Sequence, residues 1–115
     1  MESGNFYKES ENPWQELGGG MRRQITGYNA DIMMVKVFFE KDALGAAHSH
    51  PHSQVSYIVD GVFEVTVGGK TQTLSHGDTF YAPGDAVHSV LCIEQGTIID
   101  VFSPVREDFL ATLKK

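Results

Sequence analysis

The sequence of 115 residues is poor in cysteine and in basic residues. Its single cysteine, Cys92, excludes an intrachain disulfide and a zinc site built from several thiolates. Because Cys92 lies in the apolar run 90–93, we expect a buried and unreactive thiol. Nine basic residues against fifteen acidic ones give a formal net charge of −6, which argues against a nucleic-acid partner because binding phosphates requires a basic patch.

Long hydrophobic runs are also missing. No apolar stretch approaches the ~20 residues needed to cross a bilayer, so the sequence predicts no membrane helix. Residues 1–5 lack the basic start and the apolar core of a secretory signal peptide. The expected location is therefore the cytoplasm, and the length fits one domain.

The start of the chain is polar and ends in a run of three glycines. We interpret residues 1–20 as an N-terminal arm with little core of its own, and residues 21–115 as the folded domain. The arm carries Phe6, Tyr7 and Trp14, which need a surface to cover them, and a β-fold would offer open sheet edges. The sequence therefore predicts a homodimer in which the arm crosses toward the partner subunit.

Short β-type segments follow one another from Met21 to Phe102. Turn-forming residues separate them, and Asp60-Gly61 is a strong hairpin signal between two of them. Many short strands separated by turns predict an all-β sandwich or barrel. The clearest predicted strands are 32–39, 54–59, 62–67, 70–74, 79–82, 87–93 and 97–102.

Only the C-terminus has helical features. Ser103 can cap a helix, and Pro104 suits its first position. Acidic residues follow near the predicted start, and Lys114 and Lys115 lie near the predicted end, as the helix dipole favours. We expect one short C-terminal helix.

The residues most informative for function are His48, His50, Gln54 and His88. His48 and His50 are two positions apart, so in a strand their imidazoles point to the same side. Gln54 has the same parity and offers a carbonyl oxygen, while His88 follows in a later predicted strand. Together they predict a metal site of three nitrogens and one oxygen, with water in the open positions. The spacing alone leaves open a second interpretation, in which these are surface histidines in a polar loop.

One neighbouring histidine has the right spacing to compete. His52 shares the parity of His48 and His50 and could replace one of them. Pro51 disturbs a strand at this point, so we place His52 outside the ligand set.

Two segments resemble the paired motifs of the cupin family. Segment 45–61 resembles the first motif, which has the form HxH, three residues, an oxygen ligand and a later turn glycine. Segment 77–88 resembles the second motif, which ends at His88. The resemblance implies a double-stranded β-helix, or jelly-roll, barrel and one divalent metal ion. The sequence departs from the general motifs at Gln54, where glutamate is usual, and at Asp85, where glycine is usual.

Three further segments, 13–20, 48–52 and 100–109, are similar to the pectin-degradation cupins known as KdgF. In that family glutamine is usual at the position of Gln54. The resemblance implies an isomerase-type enzyme for a small anionic sugar, a 4,5-unsaturated monouronate released by pectin or alginate lyases. Its product is the linear 4-deoxy-5-keto uronate.

The resemblance also suggests roles for residues in segment 100–109. Arg106 would grip the uronate carboxylate in a bidentate fork, and Asp100 would carry protons. Phe102 shares strand parity with Asp100 and would face the substrate. The alternatives are that Arg106 is a surface residue at a helix start and that Phe102 belongs to the core.

Two other functions compete with this one. A cupin dioxygenase would use iron and O₂, but its site usually includes a carboxylate, which Gln54 does not supply. A non-catalytic cupin would bind a small ligand, but the sequence has no second domain to which it could signal. Zinc, nickel, iron and manganese all suit histidine nitrogens with one amide oxygen, so the sequence does not choose among them.

Overall fold

A computed structural model describes residues 1–113, and Lys114 and Lys115, with their predicted place at the helix end, lie outside the described residues. The described chain folds into β-strands with a short 3₁₀ helix (Glu9–Glu11) and one α-helix, α1 (Glu107–Ala111). The strands are β1 (Gln15–Gly18), β2 (Met21–Tyr28), β3 (Met33–Phe39), β4 (Leu44–His48), β5 (Ser53–Ile58), β6 (Val62–Val67), β7 (Lys70–Ser75), β8 (Thr79–Ala82), β9 (His88–Glu94) and β10 (Gly96–Ser103).

The strands form two antiparallel sheets that enclose one core. The larger sheet has the order β1-β2-β3-β10-β5-β8, and the smaller one has the order β4-β9-β6-β7. Residues alternate along β3, so that Met33, Val35, Val37 and Phe39 point inward and are buried. The Phe39 ring meets the ring of Phe63 from the smaller sheet edge-on, with centroids 5.2 Å apart. The predicted all-β barrel is confirmed.

The chain turns at Asp60-Gly61, but the predicted hairpin is wrong, because this turn connects β5 of the larger sheet to β6 of the smaller one and the two strands do not pair. Gly61 has φ +84, and a Cβ added there would lie 2.7 Å from the backbone oxygens of Glu94 and Gln95. We expect Gly61→Ala to lower the free energy of unfolding by about 2–4 kcal/mol, because the backbone strain at positive φ adds to the steric clash of the new Cβ with these oxygens. Gly68 has φ +56 but open space around it, so Gly68→Ala is the control, at about 1 kcal/mol. Equal losses of stability in urea denaturation would contradict this.

The C-terminal helix begins later than the sequence predicted. Ser103 is the last residue of β10 and pairs with Ser53 of β5, so the chain is still extended there. Arg106 is the N-cap of α1, and no side chain caps the helix. A short C-terminal helix is confirmed, but the predicted start at Ser103 and Pro104 is wrong. No helix within residues 1–113 has the length and apolar character needed to cross a membrane.

The N-terminal arm lies across the outer face of its own barrel. It contributes β1, which the sequence did not predict, and β1 pairs with β2. Gln24 on the outer face of β2 is fully buried, and its Nε2 donates to the backbone oxygens of Glu9 and Asn12 at 3.2 and 2.9 Å. Trp14 stacks on the guanidinium of Arg22, 5.0 Å from the ring centroid. The arm therefore covers part of the larger sheet in the single chain, and its crossing to a partner stays a prediction.

The rest of that outer face exposes an apolar row. The strand register places Tyr81, Val55, Val101 and Met34 side by side, and exposure is 58%, 52% and 43% for Tyr81, Val55 and Met34. Contiguous exposed apolar surface is typical of a protein interface. We therefore expect light scattering at micromolar concentration to give twice the chain mass of 12.7 kDa. A value equal to the chain mass would contradict the predicted homodimer.

Candidate metal centre and active-site cavity

Three of the four predicted metal ligands meet where β4 and β9 pair. His48 is the last residue of β4, and it lies opposite His88, the first residue of β9. His50 follows in the loop toward β5, so only His48 of the two spaced histidines lies in a strand. One ring nitrogen of each histidine lies within 4.8 Å of the others. This separation allows all three to ligate one ion.

Backbone carbonyl groups set the orientation of these rings. Nδ1 of His48, His50 and His88 lies 2.9–3.0 Å from the carbonyl oxygen of a residue two positions away in the chain. An Nδ1 that donates its hydrogen to a carbonyl leaves Nε2 with the lone pair, which is the form that binds metals. Nε2 of His88 is buried and has no hydrogen-bond partner among the described residues. The rings are therefore prepared to bind through Nε2.

Gln54 adds an oxygen from β5. Its Oε1 lies 3.2 Å from Nε2 of His50, and its amide Nε2 donates to Ser56 Oγ at 3.0 Å and to Asp100 Oδ1 at 3.2 Å. Because Nδ1 of His50 faces a backbone carbonyl, Nε2 of His50 and Oε1 of Gln54 turn lone pairs toward each other. A shared cation relieves that repulsion, so this pair fits a metal site.

The donor set suits a divalent transition metal. Three imidazoles and one amide oxygen are neutral ligands that zinc, nickel, iron and manganese accept. Burial lowers the pKa of His50 and of His88, which favours the neutral form that can ligate. His52 is not part of the cluster, and its backbone oxygen instead accepts the hydrogen bond from His50.

A cavity of about 220 Å³ opens beside the cluster. It brings together most of the residues that the sequence singled out. The predicted ligands and substrate-contacting residues that line it are His48, Gln54, His88, Asp100, Phe102 and Arg106.

Asp100 lies on β10, directly opposite Ser56 of β5. Its Oδ1 accepts hydrogen bonds from Ser56 Oγ at 2.6 Å and from Gln54 Nε2 at 3.2 Å. Burial raises the pKa of Asp100 to about 6, although these hydrogen bonds and the charge of Arg106 act in the opposite direction. A carboxyl group with this pKa has both protonation states accessible near neutral pH.

Arg106 points its guanidinium along the cavity wall, and its side chain is only 11% exposed. Nε and Nη2 donate to the two carboxylate oxygens of Asp108 at 3.0 and 2.8 Å, and the hydrogen bond to Arg106 lowers the pKa of Asp108. Asp108 thus occupies the Nε–Nη2 edge of Arg106, where a bidentate contact with the substrate carboxylate could otherwise form. A ligand would meet the other edge of the guanidinium, at Nη1 and Nη2.

Comparison with known proteins identifies the family of this chain. Residues 35–102 match the model of the cupin domain. The chain is 42% identical over 107 residues to the pectin degradation protein KdgF of Dickeya dadantii (strain 3937), which covers 91% of this chain and 97% of that protein. The chain belongs to the KdgF family of cupins. It also matches a solved RmlC-like cupin from Shewanella frigidimarina NCIMB 400, with a TM-score of 0.92 and 44% identity over 94% of this chain and 97% of that one. The structure of KdgF from Halomonas sp. matches with a TM-score of 0.89 and 38% identity over 93% and 99%.

Phe102 of this cupin belongs to the core and also lines the cavity. It is 2% exposed. Its ring lies 5.8 Å from the ring of His50, and the guanidinium of Arg106 lies 5.1 Å from its centroid. Phe102 therefore gives the cavity a rigid apolar wall between the histidines and Arg106.

Sequence reasoning missed one charged residue of the cavity. Arg23 on β2 is 9% exposed, and its Nε donates to Gln15 Oε1 at 2.9 Å. Burial and the positive charge of Arg106 lower its pKa. The available signal was strand parity, because Arg23 lies two positions from both Met21 and Ile25 and so shares the inward face of β2 with these apolar residues.

Proposed function

We propose that this cupin is a metal-dependent enzyme that opens the ring of 4,5-unsaturated monouronates from pectin or alginate breakdown. The product is the linear 4-deoxy-5-keto uronate. The observation that carries the proposal is one cavity shared by a neutral metal-ligand set, the carboxyl group of Asp100 and the guanidinium of Arg106. The relative from Dickeya dadantii, named as a pectin degradation protein, supports this class of substrate.

The proposed reaction is an isomerisation of a cyclic enol ether that carries a carboxylate. The anomeric hydroxyl group loses a proton, the bond between carbon 1 and the ring oxygen breaks, and an enolate forms. Carbon 4 then gains a proton, which leaves a ketone at carbon 5. One proton leaves and one is added, so the reaction needs no oxidant and no second substrate.

Asp100 is the proposed proton carrier. Its Oδ1 is held by Ser56 and Gln54, so Oδ2 is the oxygen left to meet the substrate. In the proposed mechanism it takes the proton of the anomeric hydroxyl group and later delivers one to carbon 4. One carboxyl group performing both transfers ends each cycle in the state in which it began.

Arg106 and Phe102 are the proposed binding residues for the sugar acid. Arg106 donates from its outer edge to the substrate carboxylate, while Asp108 fixes the opposite edge. Phe102 covers one side of the sugar and limits the entry of water. His48, His50, Gln54 and His88 are the proposed metal ligands. Since all four are neutral, a bound divalent ion would keep its full charge and stabilise negative charge on a substrate oxygen.

A glutamate in place of Gln54 tests why this chain departs from the general cupin motif. The amide of Gln54 presents its oxygen to the metal site beside His50 and donates an N–H to Asp100, a combination that no ionised carboxylate provides. We expect Gln54→Glu to keep the metal, because an anionic oxygen still ligates, but to lower kcat about tenfold or more, because two carboxylates then repel across 3.2 Å. Unchanged kcat with a full metal site would contradict this role for the amide.

An experiment with an oxygen electrode separates the proposal from its rivals. The metal-loaded protein is mixed with an unsaturated monouronate while O₂ and the enol-ether absorbance are followed together. The proposal predicts loss of absorbance above the spontaneous rate with no uptake of O₂. Uptake of O₂ in step with turnover would favour the dioxygenase, and a rate equal to the enzyme-free control would favour a binding protein.

A further inference from the structure

The cavity holds a second guanidinium that the proposed mechanism does not use. Arg23 points inward from β2 and is 9% exposed, yet it carries a positive charge. It lines the same cavity as Asp100 and Arg106. Burying a cation is unfavourable unless an anion or well-placed hydrogen bonds replace its hydration, so the partners of Arg23 are informative.

Neutral groups hold Arg23 in place. Its Nε donates to Gln15 Oε1 at 2.9 Å, and its Nη2 donates to Thr112 Oγ1 at 3.4 Å. Gln15 Nε2 also donates to Thr112 Oγ1 at 3.0 Å, so β1 and the segment after α1 meet at this side chain. Within residues 1–113 no carboxylate oxygen lies within 4.0 Å of Arg23, in contrast to Arg106 with Asp108. The guanidinium is thus oriented but not neutralised by its neighbours in the described chain.

Phe109 links Arg23 to Arg106. The guanidinium carbons of Arg23 and Arg106 each lie 4.0 Å from the centroid of the Phe109 ring. Two cations therefore share one aromatic residue at this end of the cavity, while Asp108 balances one of them. Arg23 is thus the guanidinium of this pair that has no ion-pair partner within 4.0 Å among residues 1–113, and it can accept a carboxylate.

We infer that Arg23 binds the carboxylate of the sugar acid together with Arg106, and that this pair makes the cavity prefer uronates to neutral sugars. The identity of the ligand as a uronate rests on the proposed function. The two oxygens of a carboxylate have enough lone pairs to accept from two guanidiniums at once. Nη1 of Arg23 and the outer edge of Arg106 are the donors not already committed to Gln15, Thr112 or Asp108.

The inference is tested by titration calorimetry of the metal-loaded protein with galacturonate and, as a neutral match, galactose. Wild-type protein should bind galacturonate more tightly. Arg23→Met keeps a long unbranched side chain but removes the charge. It should weaken galacturonate binding about tenfold or more and leave the affinity for galactose unchanged. Arg23→Lys keeps the charge without the planar fork and should retain part of the preference.

Arg22→Met is the matched control, because Arg22 is the neighbouring arginine of β2 and stacks on Trp14 and Phe38 outside the cavity. It should leave the affinity for both sugars unchanged. The inference is overturned if wild type binds both sugars equally or binds neither. It is also overturned if Arg23→Met keeps the preference or weakens both sugars equally, as a purely structural role would. Turnover of the unsaturated monouronate by wild type is measured in parallel. Absence of turnover would contradict the proposed function, whereas the binding preference tests the role of Arg23 separately.

Discussion

Asp100→Asn is expected to lower kcat about 100-fold or more with little change in KM, because the asparagine cannot take up or release the proton. The structure makes this substitution conservative. Both hydrogen bonds to Asp100 end on Oδ1, and the carbonyl oxygen of asparagine can accept them in the same place. The variant should therefore keep its fold, its metal and its affinity for substrate.

The control for this experiment is Asp31→Asn, which makes the same chemical change at an exposed position outside the cavity lining. It should retain wild-type kcat. Rates must be corrected for spontaneous opening of the sugar, measured without protein. Full activity of Asp100→Asn would leave the enzyme in place but remove Asp100 from its chemistry.

His48→Ala and His88→Ala are each expected to lower metal affinity about 100-fold or more. Removing a group that only hydrogen-bonds to a metal ligand usually lowers metal affinity about 10–100-fold, and these substitutions remove the ligand itself. Elemental analysis after extensive dialysis should show near-stoichiometric metal in wild type and little in either variant. His52→Ala is the control, because His52 contributes its backbone oxygen to His50 and its ring lies outside the cluster. Unchanged metal content in both ligand variants would refute the assignment.

The strands with clear alternation could be predicted from the sequence. In β3, every second residue from Met33 to Phe39 is apolar and buried, and the Asp60-Gly61 turn is local chemistry. Two other strands carry weak local signals. The segment of β4 is Leu-Gly-Ala-Ala-His, which has no β-branched residue, and β1 is polar and pairs at the sheet edge with β2. Their strand structure depends on their partners, which local propensity does not reveal.

The candidate site also contains residues that the sequence predicted and residues that only the fold revealed. The spacing of His48 and His50, and the motif that includes His88, predicted the histidine cluster. Gln54 lies beside the cluster as predicted, but strand parity does not explain its position or that of His50, because β4 ends at His48, His50 lies in the loop and Gln54 comes from a separate strand, β5. Ion pairs and cavities are products of tertiary packing. The engagement of Arg106 by Asp108 and the inward position of Arg23 therefore became clear only from the fold.

The central claim is tested most directly by the absorbance of the enol-ether band of an unsaturated monouronate. Three samples are compared: metal-loaded protein, the same protein after chelation, and buffer alone. We expect the metal-loaded protein to remove the absorbance faster than buffer, the chelated protein to match buffer, and added metal to restore the rate. A metal-loaded protein that is no faster than buffer would contradict the proposed activity, and a chelated protein that keeps full activity would contradict its dependence on metal.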